Sequence, residues 1–174
     1  ELLSPKGIIE RSDVPARTKE QLPQVKGLVW GVAPPAPLVV TENGCLFQVD
    51  LLEGHKTGMY LDQRENRAAI TLPAFVADKE ILNAFAYTGG FGTYAASNGA
   101  GSIVNLDSSI PALEIAESNI AHNKLDRPND EYLAGDAFEV LRHYRDTDRQ
   151  FDMIILDPPK FAHSRKDMDR ATRG

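Results

Sequence analysis

The sequence predicts an α/β fold, a parallel sheet covered by helices, with a small β-rich module in front of it. Three observations carry this. From about residue 59, short apolar runs alternate with segments of helical periodicity. The apolar runs end in glycine or aspartate, and helical segments separate them, as parallel strands require. Residues 1–58 are instead rich in proline, glycine and β-branched residues. The expected division is 1–58 for the module and 59–174 for the α/β part.

The elements follow in order. Leu38–Thr41 and Cys45–Asp50 flank Glu42-Asn43-Gly44, and Asn-Gly supplies the positive φ angles of a tight hairpin. Pro34-Pro35-Ala36-Pro37 before it is a stiff connector. Gln63 to Leu72 reads as a helix stopped by Pro73. Ile81–Phe85 is the first strand of the α/β part, and Gly89-Gly90-Phe91-Gly92 leads into a helix of small residues over 93–98. Ser102–Asp107 is the second strand. Ser108 or Ser109 caps the next helix, with Pro111 in its tolerant first turn. Tyr132-Leu133 is a weak third strand ending at Gly135-Asp136, "AFEVLRHYRD" a further helix, and Phe151–Leu156 the fourth strand.

Composition narrows the function. A net charge of −6 argues against a non-specific, electrostatically driven nucleic-acid binder. A local basic stretch survives: between Lys160 and Arg173 five basic residues face two acidic ones. No apolar run is long enough to span a bilayer, and the start "ELLSPKGIIERSD" is no signal peptide. The single cysteine, Cys45, fits a reducing cytoplasm and reads as structural within the hairpin. The four histidines show no metal-ligand spacing, so no metal is expected. The chain reads as a piece of a longer protein.

Ligands of open α/β sheets bind at the carboxyl ends of the strands. Those ends present Tyr87-Thr88-Gly89-Gly90-Phe91-Gly92, Asp107-Ser108, Asp136-Ala137 and Asp157. The glycines serve either close approach to a ligand or a tight turn before a helix. Their G-G-x-G pattern departs from the dinucleotide fingerprint, which seats a pyrophosphate on the helix N-terminus. Asp107, 18 residues after Gly89, suits a carboxylate accepting from ribose hydroxyls, and it also suits a helix N-terminal acid. Asp136 fits an adenine amino group, a helix N-cap, or both. In Asp157-Pro158-Pro159-Lys160-Phe161 two prolines remove backbone donors and fix the loop's shape. The carboxylate can then grip a base's exocyclic amine while Phe161 stacks on its face. The plainer alternative is a strand-terminating turn with a buried phenylalanine.

"ILNAFAYTGGFGTYAASNGA", "VNLDSS", "GDAFEVL" and "FDMIILDPPKFAHSRKDMDRATRG" together resemble the successive motifs of class I methyltransferases dependent on S-adenosylmethionine (SAM). More narrowly they resemble the RlmI-like family of large-subunit ribosomal RNA cytosine-5 methyltransferases. "ERSDVPARTKEQL" and "GMYLDQRENR" are similar to that family's upstream segments. The resemblance implies a Rossmann-like sheet, with SAM bound by the Tyr87–Gly92 loop, Asp107 on its ribose and Asp136 near its adenine. It implies a target base at the Asp157 loop and the Leu61-Asp62-Gln63-Arg64 segment over the cofactor, with Arg64 near its methionine end, where a helix N-terminal ion pair is the alternative. It also implies a preceding PUA-type RNA-binding module, a nucleophilic cysteine in sequence beyond Gly174, ribosomal RNA as partner and a homodimer of the full-length protein. The 174 residues alone are therefore expected to be inactive. Two rival readings remain: methylation of an exocyclic amine of guanine or adenine in RNA, which needs no cysteine, and a non-catalytic RNA-binding or assembly module. A nicotinamide-dependent oxidoreductase is disfavoured by both G-G-x-G and Asp-Pro-Pro.

Overall fold

The computed structural model describes residues 4–55 and 57–159. Two antiparallel ribbons come first. Strands β1 (Gly7–Arg11) and β2 (Lys26–Gly31) pair around the short helix α1 (Pro15–Lys19). Strands β3 (Leu38–Glu42) and β4 (Cys45–Val49) form the hairpin at the expected position. Asn43 and Gly44 take φ values of 47° and 86°, the signature of the tight turn that Asn-Gly favours. The first ribbon has no equivalent in the sequence reading, because "KGLVWG" carries no turn signal and exposes most of its side chains.

The α/β part then alternates as expected. A 3₁₀ turn over Leu61–Gln63 runs into α2 (Arg64–Ile70), and Pro73 opens a separate short helix, α3 (Pro73–Val76). The helix expected over 63–72 is α2, ending before Pro73 as expected, and Pro73 instead opens the next short helix, since proline suits a first turn better than an interior. Strands β5 (Glu80–Ala84), β6 (Ser102–Asp107), β7 (Glu131–Ala134) and β8 (Met153–Leu156) are linked by helices α4 (Gly90–Ser97), α5 (Ile110–His122) and α6 (Ala137–Asp146). The sheet is wholly parallel in the order β7-β6-β5-β8. After β7 the chain crosses to the far side of β5, so the strand order switches between β5 and β8, where a ligand crevice is expected.

Residue alternation along β5 and β6 divides the core. Ile81 and Ile103 join Val76, Ala95, Ala96, Ile120 and Ile155 under α4 and α5. Leu82, Ala84, Val104 and Leu106 join Ala137 and the apolar stripe of α6 on the opposite face. Both faces are covered, so these strands read as nearly unbroken apolar runs. The interruptions are Asn83 and Asn105, register partners on the α4 face, bonded to each other at 2.9 Å and buried. On α5, Ala112, Leu113, Ala116, Asn119 and Ile120 form the buried stripe at helical spacing, and the Ser109 hydroxyl caps its first turn.

The β3–β4 hairpin packs on this core. Cys45, Phe47 and Val49 alternate inward against Met59 and Tyr94, with the Phe47 and Tyr94 rings stacked 6.0 Å apart. Glu42 at the hairpin's turn meets Arg67 of α2 in a nearly dry pair. Arg67 Nε and Nη2 both reach the Glu42 carboxylate, at 2.7–3.0 Å, and the Tyr94 hydroxyl donates to it at 3.0 Å. Burial and the facing carboxylate push the Tyr94 phenol up to about 12, so it stays a donor at neutral pH. Arg67 Nη1 also donates to the Tyr60 carbonyl. Removing one partner of such a pair strands the other's charge. Arg67→Met should lower unfolding free energy by about 3–5 kcal/mol, and Glu42→Gln added to it should restore much of the loss. A urea midpoint of Arg67→Met equal to wild type would contradict this arrangement.

Candidate cofactor and base site

The carboxyl ends of β5, β6 and β8 open on a cavity of about 440 Å³. Of the residues singled out from sequence, Tyr87, Thr88, Gly90, Phe91, Asp107, Ser108, Asp157, Pro158 and Pro159 line it. The strand-end pattern thus brought most of them to one place.

The loop after β5 is held under strain. Phe85 and Tyr87 both lie in the left-handed region, at φ 59° and 50°. For residues with a Cβ this costs on the order of 1 kcal/mol each. Asp107 fixes the loop: its Oδ2 accepts from the Tyr87 backbone N–H at 2.7 Å, and its Oδ1 accepts from Ser109 N–H at 2.9 Å. Each carboxylate oxygen keeps a further lone pair for a ligand hydroxyl. Tyr87 is itself boxed in. Its hydroxyl accepts from the His55 N–H at 2.9 Å, its ring stacks on the His55 imidazole at 5.2 Å, and Tyr60 meets it edge-on at 5.5 Å. Burial raises the Tyr87 phenol pKa, so the phenol stays neutral.

The glycines divide the work. Helix α4 begins at Gly90, earlier than the expected residue 93, because Gly89 at φ 71° supplies its left-handed N-cap. A Cβ on Gly89 would lie 2.7 Å from Ala116 Cβ, and one on Gly92 would lie 2.5 Å from Asn105 Oδ1. Those two glycines let α4 seat against α5 and the sheet. Gly90 alone of the three lines the cavity, packed under Arg67.

At the far wall, Gln63 Nε2 stands 3.2 and 3.4 Å from the two oxygens of Asp157. Asn66 Nδ2 donates to Gln63 Oε1 at 2.6 Å and so turns the Gln63 amide nitrogen toward the carboxylate. Asp157 therefore already receives an –NH₂ group.

Other expected site residues lie elsewhere. Arg64 is solvent-exposed, pairs with Glu65 at 2.8 Å and does not line the cavity. Asp136 caps α6, accepting from Phe138 and Glu139 N–H at 2.8 and 3.1 Å, and Ala137 is buried behind it. Lys160 and Phe161 lie outside the described residues. Of the Leu61–Arg64 segment, Asp62 and Gln63 line the cavity, and the structure adds residues absent from the sequence reading: Phe47 and Gln48 from the hairpin, His55, Met59 and Tyr60 from the segment after it, and Arg67 from α2. The motif "GMYLDQRENR" had pointed to that region, but through Arg64 rather than Arg67.

The donor set fits SAM. A carboxylate, Asp107, stands beside a turn, aromatic and apolar side chains form the walls, and no lysine lines the cavity among the described residues. Comparison with known proteins points the same way. A family model for S-adenosylmethionine-dependent methyltransferases matches residues 29–172. The Ribosomal RNA large subunit methyltransferase I of Pseudoalteromonas translucida is 48% identical over 167 residues, 96% of this chain, and that of Shewanella amazonensis 51% over the same length. The chain spans 42% of the length of each. A solved methyltransferase complexed with SAH superposes with a TM-score of 0.74 at 30% identity, over 86% of this chain and 40% of that one. The tRNA m1G37 methyltransferase of M. jannaschii, at 23% identity and a TM-score of 0.68 over 99% of this chain and 47% of its own, shares the fold. The chain belongs to the S-adenosylmethionine-dependent methyltransferase family.

Proposed function

We propose that this chain is the cofactor-holding part of an enzyme that methylates large-subunit ribosomal RNA, most specifically C5 of a cytosine. The observation that carries the reading is the convergence of Asp107 and Asp157 on one cavity at the switch in strand order. Asp107 would accept from the ribose hydroxyls, and the walls from Tyr87 to Phe91 would enclose the cofactor. Bound SAM would supply an electrophilic methyl group. Asp157 would take the exocyclic amine of the target base in place of the Gln63 amide, and the two prolines would hold the carboxylate toward the cavity. The likeness to ribosomal RNA methyltransferases supports the acceptor. Among the described residues no helix is long and apolar enough to cross a membrane.

Cytosine C5 needs a thiolate added at C6 before it attacks a methyl donor. Cys45 is unsuited to that task. It is 5% exposed, burial raises its thiol pKa, and it packs against Phe47 and Tyr94 in the hairpin core. The sequence holds no other cysteine. The nucleophile is therefore assigned to the remainder of the longer protein. That remainder would also cover β8, whose Ile154 and Leu156 are more than half exposed on the sheet's edge.

Two measurements test the reading. Calorimetry of the full-length protein with SAH should show Asp107→Ala weakening binding by about 10- to 100-fold, the worth of one charge-assisted hydrogen bond. Unchanged affinity would remove Asp107 from the cofactor. The 174-residue chain incubated with ribosomal RNA and SAM should transfer no methyl group to cytosine C5. Turnover on C5 would refute the missing-thiolate account, and methylation of a purine amine would establish the amine reading instead.

A further inference from the structure

Asn119 is fully buried on the inner face of α5 and bonds two segments far apart in sequence. Its Oδ1 accepts from the Gln48 backbone N–H at 2.7 Å, and its Nδ2 donates to the Thr88 carbonyl at 2.9 Å. One turn further on, Asn123 makes a similar clamp. Its Oδ1 accepts from Leu46 N–H and its Nδ2 donates to Leu46 C=O, both at 2.8 Å. The match is geometric. Four helical residues advance about 6 Å and two strand residues about 6.7 Å, so amides at i and i+4 reach alternate residues of β4's free edge.

The two clamps differ in one respect. Asn123 bonds β4 with both ends of its amide, its Nδ2 also donating to the Asn119 carbonyl at 2.7 Å, whereas Asn119 gives its donor to the loop that walls the cavity. Thr88 sits between Tyr87 and Gly89, both left-handed, so its carbonyl direction governs how the strained loop faces the ligand. Gln48 and Thr88 both line the cavity. The amide has only one orientation that serves both partners, since Gln48 N–H needs the oxygen and Thr88 C=O needs the nitrogen.

We propose that Asn119 is a positioning residue for the cofactor, coupling the docking of the β3–β4 hairpin to the shape of the Tyr87–Gly89 loop. Ligand in the cavity and hairpin on α5 then stabilise each other, by the reciprocity that any such coupling obeys. This rests on the reading of the cavity as the SAM site.

The test uses the full-length protein, with SAH as probe, and the variants Asn119→Ala and Asn123→Ala. Both variants lose an edge clamp and should lose comparable thermal stability. Asn119→Ala should weaken SAH binding by about tenfold or more, the effect of leaving one buried carbonyl unpaired, and raise KM for SAM with kcat within about twofold. Asn123→Ala should leave SAH affinity within about twofold. In the wild type, SAH should slow amide exchange at Gln48, a measurement that needs no variant to fold. Equal SAH affinities for the two variants, or exchange at Gln48 indifferent to SAH, would overturn the coupling. Absence of SAH binding by the wild type would instead overturn the cofactor reading, and this inference with it.

Discussion

Helix α4 sits so close to the sheet that one methyl group at position 92 would fall 2.5 Å from Asn105 Oδ1. Most of the site depends on that crowding. Because α4 is seated directly over the Asn83–Asn105 pair, its N-terminus lies at the carboxyl end of β5 with only Phe85 to Gly89 between them. Five residues that must reverse direction in so little space adopt two left-handed turns at residues with side chains. Asp107 on the neighbouring strand holds the result by accepting from Tyr87 N–H. Its place at the end of β6 thus serves the protein's own backbone before any ligand arrives. The strain and its restraint leave the cavity wall shaped in advance, which is what tight binding of a flexible cofactor requires.

Polar contacts, rather than apolar area alone, fix the hairpin on this frame. Phe47 and its neighbours would tolerate sliding, since apolar packing is non-directional. The Glu42–Arg67 pair and the two asparagine clamps would not, because each demands particular partners at particular distances. A buried ion pair adds little net stability over an apolar substitute. Its value in this fold is registry: with the guanidinium bidentate on Glu42 and bonded to the Tyr60 carbonyl, hairpin, α2 and the segment between them share one anchor. That segment carries His55 and Tyr60 to Tyr87.

The α/β frame was legible because its signals are local. Strand runs, the Asn-Gly turn, Ser109 and Asp136 as caps, and the aspartates closing the strands all declare themselves within a few residues. Tyr87, Asp107 and Asp157, picked out by the strand-end rule, share one cavity. What stayed hidden depends on pairing across long separations. Glu42 and Arg67 lie 25 residues apart, and Gln48 and Asn119 lie 71 apart. No periodicity announces such partners. Arg64 and Arg67 occupy the same helix, and only the position of Glu42 decides which one turns inward. The glycines show a subtler limit: sequence identifies positions where a side chain is excluded, but for Gly89 and Gly92 the excluding body is the protein itself.

Gln63 sharpens what the Asp157 loop can do. Its amide nitrogen, aimed by Asn66, meets both Asp157 oxygens from the chain's own side of the cavity. A carboxylate that receives an –NH₂ group at 3.2–3.4 Å is matched to the amines of cytosine, adenine and guanine alike, so on the proposed reading this contact selects a nucleobase without selecting which one. The choice between carbon and nitrogen as acceptor rests on a different group. Attack from an exocyclic nitrogen uses its own lone pair, while attack from C5 requires a thiolate that Cys45, locked in the hairpin core, does not provide. On the proposed reading, cofactor binding and base positioning are local properties of these strand ends, whereas the choice of methylated atom rests on a nucleophile that Cys45, the one cysteine of these 174 residues, does not supply.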